Sequence, residues 1–148
     1  MTPKFKTALY AGTFNPFTVG HQSIVERGLK ICDQMIIAFG SNIDKPNETT
    51  DVNYEAVKRL YRNDNRIKVL KYKGLTVDFA RENGVDFMIR GVRDVHDFEY
   101  ERNLADINLK ISGIETILLP SLPELSYVSS SMVRELMKYG HDVSNFIP

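Results

Sequence analysis

Tyr10-Ala11-Gly12-Thr13-Phe14-Asn15-Pro16-Phe17-Thr18-Val19-Gly20-His21 joins a β-rich run, Lys6 to Tyr10, to a helical pattern that reaches about Ile31. Gly12 lets the backbone come close to a ligand, Thr13 offers a hydroxyl, and Asn15-Pro16 supports a tight turn that re-aims the chain. Together they build a niche the size of a phosphate. In the following helix His21, Ile24, Val25, Gly28, Leu29 and Cys32 recur at intervals of three or four, which places His21 on the inward face of the first turn. Free N–H groups and the positive end of the helix dipole lie there, so imidazole and backbone can act together on an anion. A hydrogen-bonded core histidine is the competing reading, and the Gly-Thr turn just upstream tips the balance towards a ligand.

Working outward, the chain alternates short β-rich runs with amphipathic segments. Lys6 to Tyr10, Gln34 to Phe39, Ile67 to Tyr72, Phe87 to Arg90 and Glu115 to Leu119 read as five strands, with helical patterns between them. This order predicts an α/β fold, a Rossmann-like doubly wound sandwich around a five-stranded parallel sheet, in a single domain over residues 1–148. In such sheets ligands bind beyond the carboxyl ends of the strands, so the segments after strands one, two, four and five should line one cleft. The long polar connection from Gly40 to Asn53 is a candidate lid.

Two further segments fall at strand ends. Ile89-Arg90-Gly91-Val92-Arg93-Asp94 places two arginines around a glycine, followed by Phe98-Glu99-Tyr100-Glu101 at the head of a helix reaching about Ile111. The planar arginine fork suits phosphate, and the glycine would let the loop turn both side chains to one ligand; solvated surface charge is the alternative. Glu101 is three residues from both Phe98 and Leu104, on an apolar face, so its carboxylate needs a partner. An arginine and a ribose hydroxyl both qualify. After the last strand, Leu125-Ser126-Tyr127-Val128-Ser129-Ser130-Ser131 leads into a helix with Met132, Val133, Leu136 and Met137 as apolar positions. One serine serves as N-cap; three in succession exceed what a cap requires and could hold a polyphosphate, with a redundant cap as the plain alternative.

Composition narrows the partners. The chain has 148 residues, 43% hydrophobic and 26% charged, and its 19 basic residues balance 19 acidic ones. A neutral chain has no global field to draw in nucleic acid or an acidic membrane, so an anionic ligand must be held by local geometry. Cys32 is the single cysteine, which excludes an intramolecular disulfide and a multi-cysteine zinc site, and it reads as a small core residue. No apolar leader or membrane-length run is visible, so a soluble cytoplasmic protein is expected.

Gly12-Thr13-Phe14, Pro16 and Thr18-Val19-Gly20-His21 resemble the signature of the nucleotidyltransferase superfamily with a T/HxGH motif. Threonine at position 18 is typical of its phosphopantetheine adenylyltransferases, where cytidylyltransferases carry a second histidine. The Ile89 to Glu101 stretch and the serine-rich segment resemble the same family, and the likeness spans nearly the whole chain. The resemblance implies transfer of the adenylyl group of ATP to 4'-phosphopantetheine, giving dephospho-coenzyme A and pyrophosphate, by in-line attack without a covalent intermediate.

By the same resemblance His21, Thr13, Lys45 and Arg93 form the catalytic group. Thr13, Phe14, His21, Gly91, Val92, Arg93, Glu101, Leu125, Ser126, Tyr127, Val128, Ser129, Ser130 and Ser131 would hold ATP, and Thr13, Lys45, Thr76 and Arg90 the phosphopantetheine. No carboxylate cluster reads as a metal cage, so Mg²⁺ would arrive with ATP. Coenzyme A as inhibitor, a homo-hexamer, and no nucleic-acid or membrane partner complete the expectation. Departures from the family pattern are Ala11 for proline, Asn15 for aspartate, Leu125 for tryptophan, and Asn42-Ile43-Asp44-Lys45-Pro46 where Ser-Lys-Lys-Pro is familiar. The sequence also stops at Pro148, short of a terminal helix many relatives have, a difference expected to bear on subunit contacts. Two alternatives stay open: a nucleotidyltransferase acting on glycerol phosphate or nicotinamide mononucleotide, and a nucleotide-binding sensor without turnover.

Overall fold

The computed structural model describes residues 5–40 and 48–148. Along the chain these are β1 (Thr7–Gly12), α1 (Val19–Gly28), β2 (Gln34–Gly40), α2 (Glu48–Leu60), β3 (Ile67–Tyr72), α3 (Thr76–Glu82), β4 (Phe87–Val92), α4 (Val95–Ser112), β5 (Glu115–Pro120), a 3-10 turn (Pro123–Leu125) and α5 (Ser130–Lys138). All five predicted strands are present, and the sheet is parallel throughout in the order β3-β2-β1-β4-β5.

Alternation along the strands divides the core in two. Ala8, Tyr10, Met35, Ile37, Phe39, Val69 and Ile89 face α1 and α2, meeting Ile24, Val25 and Val57. Leu9, Ala11, Ile36, Ala38 and Met88 face the other way and meet Val77 and Ala80 of α3 together with Val85 and Ile114. Strands covered on both faces must be apolar at successive positions, which is why Met35-Ile36-Ile37-Ala38-Phe39 reads as one unbroken hydrophobic run. Each fully buried aliphatic side chain of this kind contributes roughly 1.5–3 kcal/mol through removal from water.

Two expectations change. The first helix ends at Gly28 rather than near Ile31, because the next turn winds tighter: Lys30 N–H bonds to the Arg27 carbonyl at 3.2 Å and Ile31 N–H to that of Gly28 at 3.0 Å. A Cβ on Gly28 would fall 2.7 Å from Met35 Cε and 2.9 Å from Ile89 Cδ1, so α1 lies on the sheet as closely as a glycine permits. The polar connection after β2 is also shorter than its composition suggests, since α2 already begins at Glu48; residues 41–47 of the candidate lid lie outside the described residues.

The order of the strands reverses between β1 and β4, and there the sheet parts. β1 pairs with β2 along its whole length, from Thr7↔Gln34 to Gly12↔Phe39, and β4 with β5 from Phe87↔Glu115 to Val92↔Pro120. Between β1 and β4 the ladder holds only Ala8↔Phe87 and Leu9↔Met88. Beyond those pairs the strands diverge towards their carboxyl ends and leave a slot, the place at which open α/β sheets bind ligands.

Candidate active site

The turn after β1 ends at Thr18, which caps α1 while remaining buried. Its backbone N–H donates to His21 Nδ1 at 2.9 Å, and its hydroxyl oxygen accepts from the His21 N–H at 3.4 Å. This is a capping box in which a histidine replaces the usual Glu or Gln. Because Nδ1 accepts, the ring proton sits on Nε2, at the far side of the imidazole. Phe14, Phe17 and Tyr10 stand around the ring at centroid distances of 5.0, 5.3 and 6.3 Å. Burial first, and then the charges of Arg90 and Arg93, push the His21 pKa down to about 4. The imidazole is therefore a neutral donor at neutral pH.

Gly12 and Phe14 border the same cavity as His21, and they also pack on each other: a Cβ on Gly12 would stand 3.1 Å from the Phe14 ring. Phe14 itself is 3% exposed at a φ of 45°, a left-handed conformation that a large side chain adopts only when its surroundings hold it. Its side chain belongs to the core, and what it can offer a ligand is mainly backbone.

At the end of β4, Arg90 grips both oxygens of Glu101, Nε to Oε2 at 2.8 Å and Nη2 to Oε1 at 2.6 Å, and donates through Nη1 to the Ala11 carbonyl across the slot. The partner Glu101 needed is thus an arginine of the protein, and these bonds engage three of the five guanidinium N–H groups. Arg93 is held by Asp97, Nε to Oδ2 at 2.9 Å. Arg90 and Arg93 border one cavity on either side of Gly91, whose missing Cβ would lie 3.1 Å from Ile24 Cγ1, so the glycine also lets α1 approach β4.

The serines have separate duties. Ser129 is the N-cap of α5, accepting from the Met132 N–H at 3.1 Å; Ser130 donates to the Pro16 carbonyl at 2.8 Å; Ser131 accepts from Arg134 Nη2 at 3.3 Å. Ser130 is the one of the three whose bond links α5 directly to the turn after β1.

These elements enclose a cavity of about 270 Å³ bordered by Thr13, His21, Arg90, Gly91, Arg93, Glu101 and Val128 through Ser131. His21, Arg93 and Ser130, far apart in sequence, share this hollow. A second cavity of about 590 Å³ opens on the α3 and α4 side, lined by Tyr72, Leu75, Thr76, Tyr100, Leu104 and Asn108 among others. Thr13, Arg90 and Glu101 border both.

Among the described residues, the remaining predicted ones divide between the second cavity and positions that border neither. Thr76 lies in the second cavity, its hydroxyl 2.8 Å from that of Tyr72. Val92, Leu125, Ser126 and Tyr127 border neither cavity. Leu125 closes the 3-10 turn, Ser126 Oγ donates to the Pro123 carbonyl, and Tyr127, 65% exposed, sets its ring edge-on to Phe146. Lys45 lies outside the described residues. Residues missed from sequence include Tyr10, Ile24 and Ser121 in the first cavity and Tyr72, Tyr100, Leu104 and Asn108 in the second. For the α4 residues the spacing 100, 104, 108 was a usable signal of one helix face.

Among the described residues no three His, Cys, Asp or Glu side chains gather to hold a metal ion. The nearest carboxylates, Glu101 and Asp97, are bound by Arg90 and Arg93, so the cleft presents cations, hydroxyls and N–H groups rather than the oxygen cage a divalent ion needs. Among the described residues no helix is long and apolar enough to cross a membrane.

Residues 9–136 match the Cytidylyltransferase-like family. A phosphopantetheine adenylyltransferase of Bacteroides thetaiotaomicron is 50% identical over 147 residues, covering 97% of this chain and 95% of that protein. One of Phocaeicola vulgatus is 48% identical over 144 residues, with coverage of 97% and 95%. The fold is similar to a solved bifunctional NMN adenylyltransferase/ADP ribose pyrophosphatase from Francisella tularensis, with a TM-score of 0.70 at 12% identity over 97% of this chain and 45% of that one.

Proposed function

The chain belongs to the phosphopantetheine adenylyltransferase family, and from that premise we propose how its cleft works. The protein transfers the adenylyl group of ATP to 4'-phosphopantetheine, giving dephospho-coenzyme A and pyrophosphate. The observation that carries the site reading is the junction of a polar and an apolar cavity at Thr13 and Arg90. Phosphates of ATP enter the polar one among His21, Arg93 and the α5 N-terminus, and the pantetheine arm lies in the apolar one beside Leu104 and Tyr100.

A phosphate monoester already carries a nucleophilic oxygen, so no covalent intermediate is needed. The protein's tasks are to place that oxygen in line with the α-phosphorus and to neutralise charge on the transition state and departing pyrophosphate. Neutral His21 donates from Nε2 to a phosphate oxygen, which strengthens as charge builds there. Thr13, exposed where the cavities meet, offers its hydroxyl to both substrates. Arg93 and the free N–H groups at the start of α5 receive the polyphosphate, and the uncommitted N–H groups of Arg90 the acceptor's phosphate. Lys45, outside the described residues, is proposed as a further cation on the family resemblance alone. Mg²⁺ delivered with ATP would offset phosphate charge, the protein contributing no carboxylate cage of its own among the described residues.

A subunit contact through α4 accords with the exposed Val95, Phe98 and Leu109 on one of its faces, and we extend the reading to a cytoplasmic homo-hexamer. Coenzyme A, which carries the same arm as the acceptor, is expected to compete for the cleft. The deciding assay supplies ATP, Mg²⁺ and each acceptor in turn. Pyrophosphate release with 4'-phosphopantetheine supports the proposal, and release only with nicotinamide mononucleotide or glycerol phosphate overturns it. A monomer mass by light scattering removes the hexamer.

A further inference from the structure

The turn that carries Thr13 and leads to His21 is fastened from the other end of the chain, and always by its main-chain atoms. Arg134 Nη1 donates to the Asn15 carbonyl at 2.6 Å, Ser130 Oγ donates to the Pro16 carbonyl at 2.8 Å, and the Val19 N–H donates to the Phe146 carbonyl at 2.9 Å. Of these partners Arg134 is the exposed one and borders neither cavity. Its second arm, Nη2, reaches Ser131 Oγ at 3.3 Å, so one guanidinium ties the turn after β1 to the serine-rich start of α5.

We infer that Arg134 is a positioning residue for adenylyl transfer, holding the Asn15 carbonyl so that Thr13 and His21 keep the geometry the reaction needs. The inference rests on the functional reading above. The turn requires such a hold because Phe14, next to Asn15, sits at a φ of 45°, where an L side chain is strained and returns to an extended or right-handed conformation once restraints are lost. Bonds to an ionised donor are the stronger kind, and Arg134 contributes the charged one of the set. Asn15 Oδ1 is engaged separately by Asn53 Nδ2 of α2 at 3.1 Å, so its side chain does not substitute for the clamp on its carbonyl. A misplacement of a fraction of an ångström at a reacting centre lowers the rate without abolishing binding.

The test compares full-length Arg134→Ala and Arg134→Lys with the unaltered protein. Pyrophosphate release from ATP and 4'-phosphopantetheine should show kcat about tenfold lower in Arg134→Ala, with the calorimetric Kd for ATP within about twofold. Lysine keeps one donor for the carbonyl, so Arg134→Lys should return to within about threefold of the unaltered rate. Millimolar guanidinium should raise turnover of Arg134→Ala and leave the unaltered protein unchanged. Backbone amide exchange over residues 13–21 should speed up in Arg134→Ala. That measurement reads the clamp even in a protein that makes no product, so inactivity of the unaltered chain would sink the functional reading alone. Turnover within twofold of the unaltered protein with unchanged exchange overturns the inference, as does a fall in ATP affinity that matches the fall in kcat and resists guanidinium.

Discussion

The two cavities at the carboxyl edge of the sheet are built from different materials. The smaller one, on the α1 and α5 side, is made of a strand-end turn, a capped helix start and a row of hydroxyls, with His21, Arg90 and Arg93 as side-chain nitrogen donors. The larger one, on the α3 and α4 side, has the flank of a helix as one wall: Tyr100, Leu104, Ala105, Asn108 and Ile111 succeed one another along α4. Charge is recognised best where unpaired backbone groups point outward, at the ends of elements; an apolar arm needs only a hydrophobic stripe. One sheet edge supplies both kinds of surface because the strands part there.

This division can be broken most directly at the polar side. Replacing His21 with alanine should lower turnover about a hundredfold or more, some 2.7 kcal/mol of transition-state stabilisation, while circular dichroism shows the fold intact. Near-normal turnover would mean that the imbalance between the cavities has no chemical meaning. At the boundary, Glu101→Gln leaves Arg90 without its carboxylate and should cost about 2 kcal/mol of stability in urea unfolding. An unchanged midpoint would show the Arg90 pair to be idle.

On the apolar side, Leu104→Glu should raise KM for 4'-phosphopantetheine about tenfold and leave that for ATP within about twofold. Equal changes in both would erase the distinction. The smallest effect concerns pH. His21 has a folded pKa near 4 against an ordinary 6.5, so the unfolded chain binds more protons in between and stability falls as pH drops through that window. Between pH 7 and 5.5 the loss from this group is about 1 kcal/mol, and His21→Gln should flatten that part of the curve by the same amount.

The polar cavity was legible in the sequence because its residues lie in short contiguous stretches whose composition suits a phosphate and little else. Gly12-Thr13, Thr18 to His21 and Ser129 to Ser131 each stand at a strand end or helix start, and each borders the cavity. The apolar cavity was nearly invisible, since Tyr100, Leu104 and Asn108 are spaced as any amphipathic helix would space them. Glu101 was recognisable as needing a partner, but only coordinates decide between a substrate hydroxyl and Arg90, eleven residues earlier. Leu125 to Tyr127 border neither cavity for a local reason: Leu125 ends a 3-10 turn, Tyr127 turns its ring to Phe146, and sequence proximity to Ser129 does not fix the side on which a side chain emerges. Gly12 and Gly91 border the polar cavity, and their missing Cβ atoms have a packing role the sequence did not show, making room for Phe14 and Ile24.

The short ladder between β1 and β4 has a mechanical consequence. β3, β2 and β1 form one well-paired slab, β4 and β5 another, and the seam between them rests on the pairs Ala8↔Phe87 and Leu9↔Met88, with Arg90 as a rivet near the open end. Bending stiffness of a sheet follows its hydrogen-bonded rows, so deformation concentrates along this line, where the fewest bonds need to lengthen.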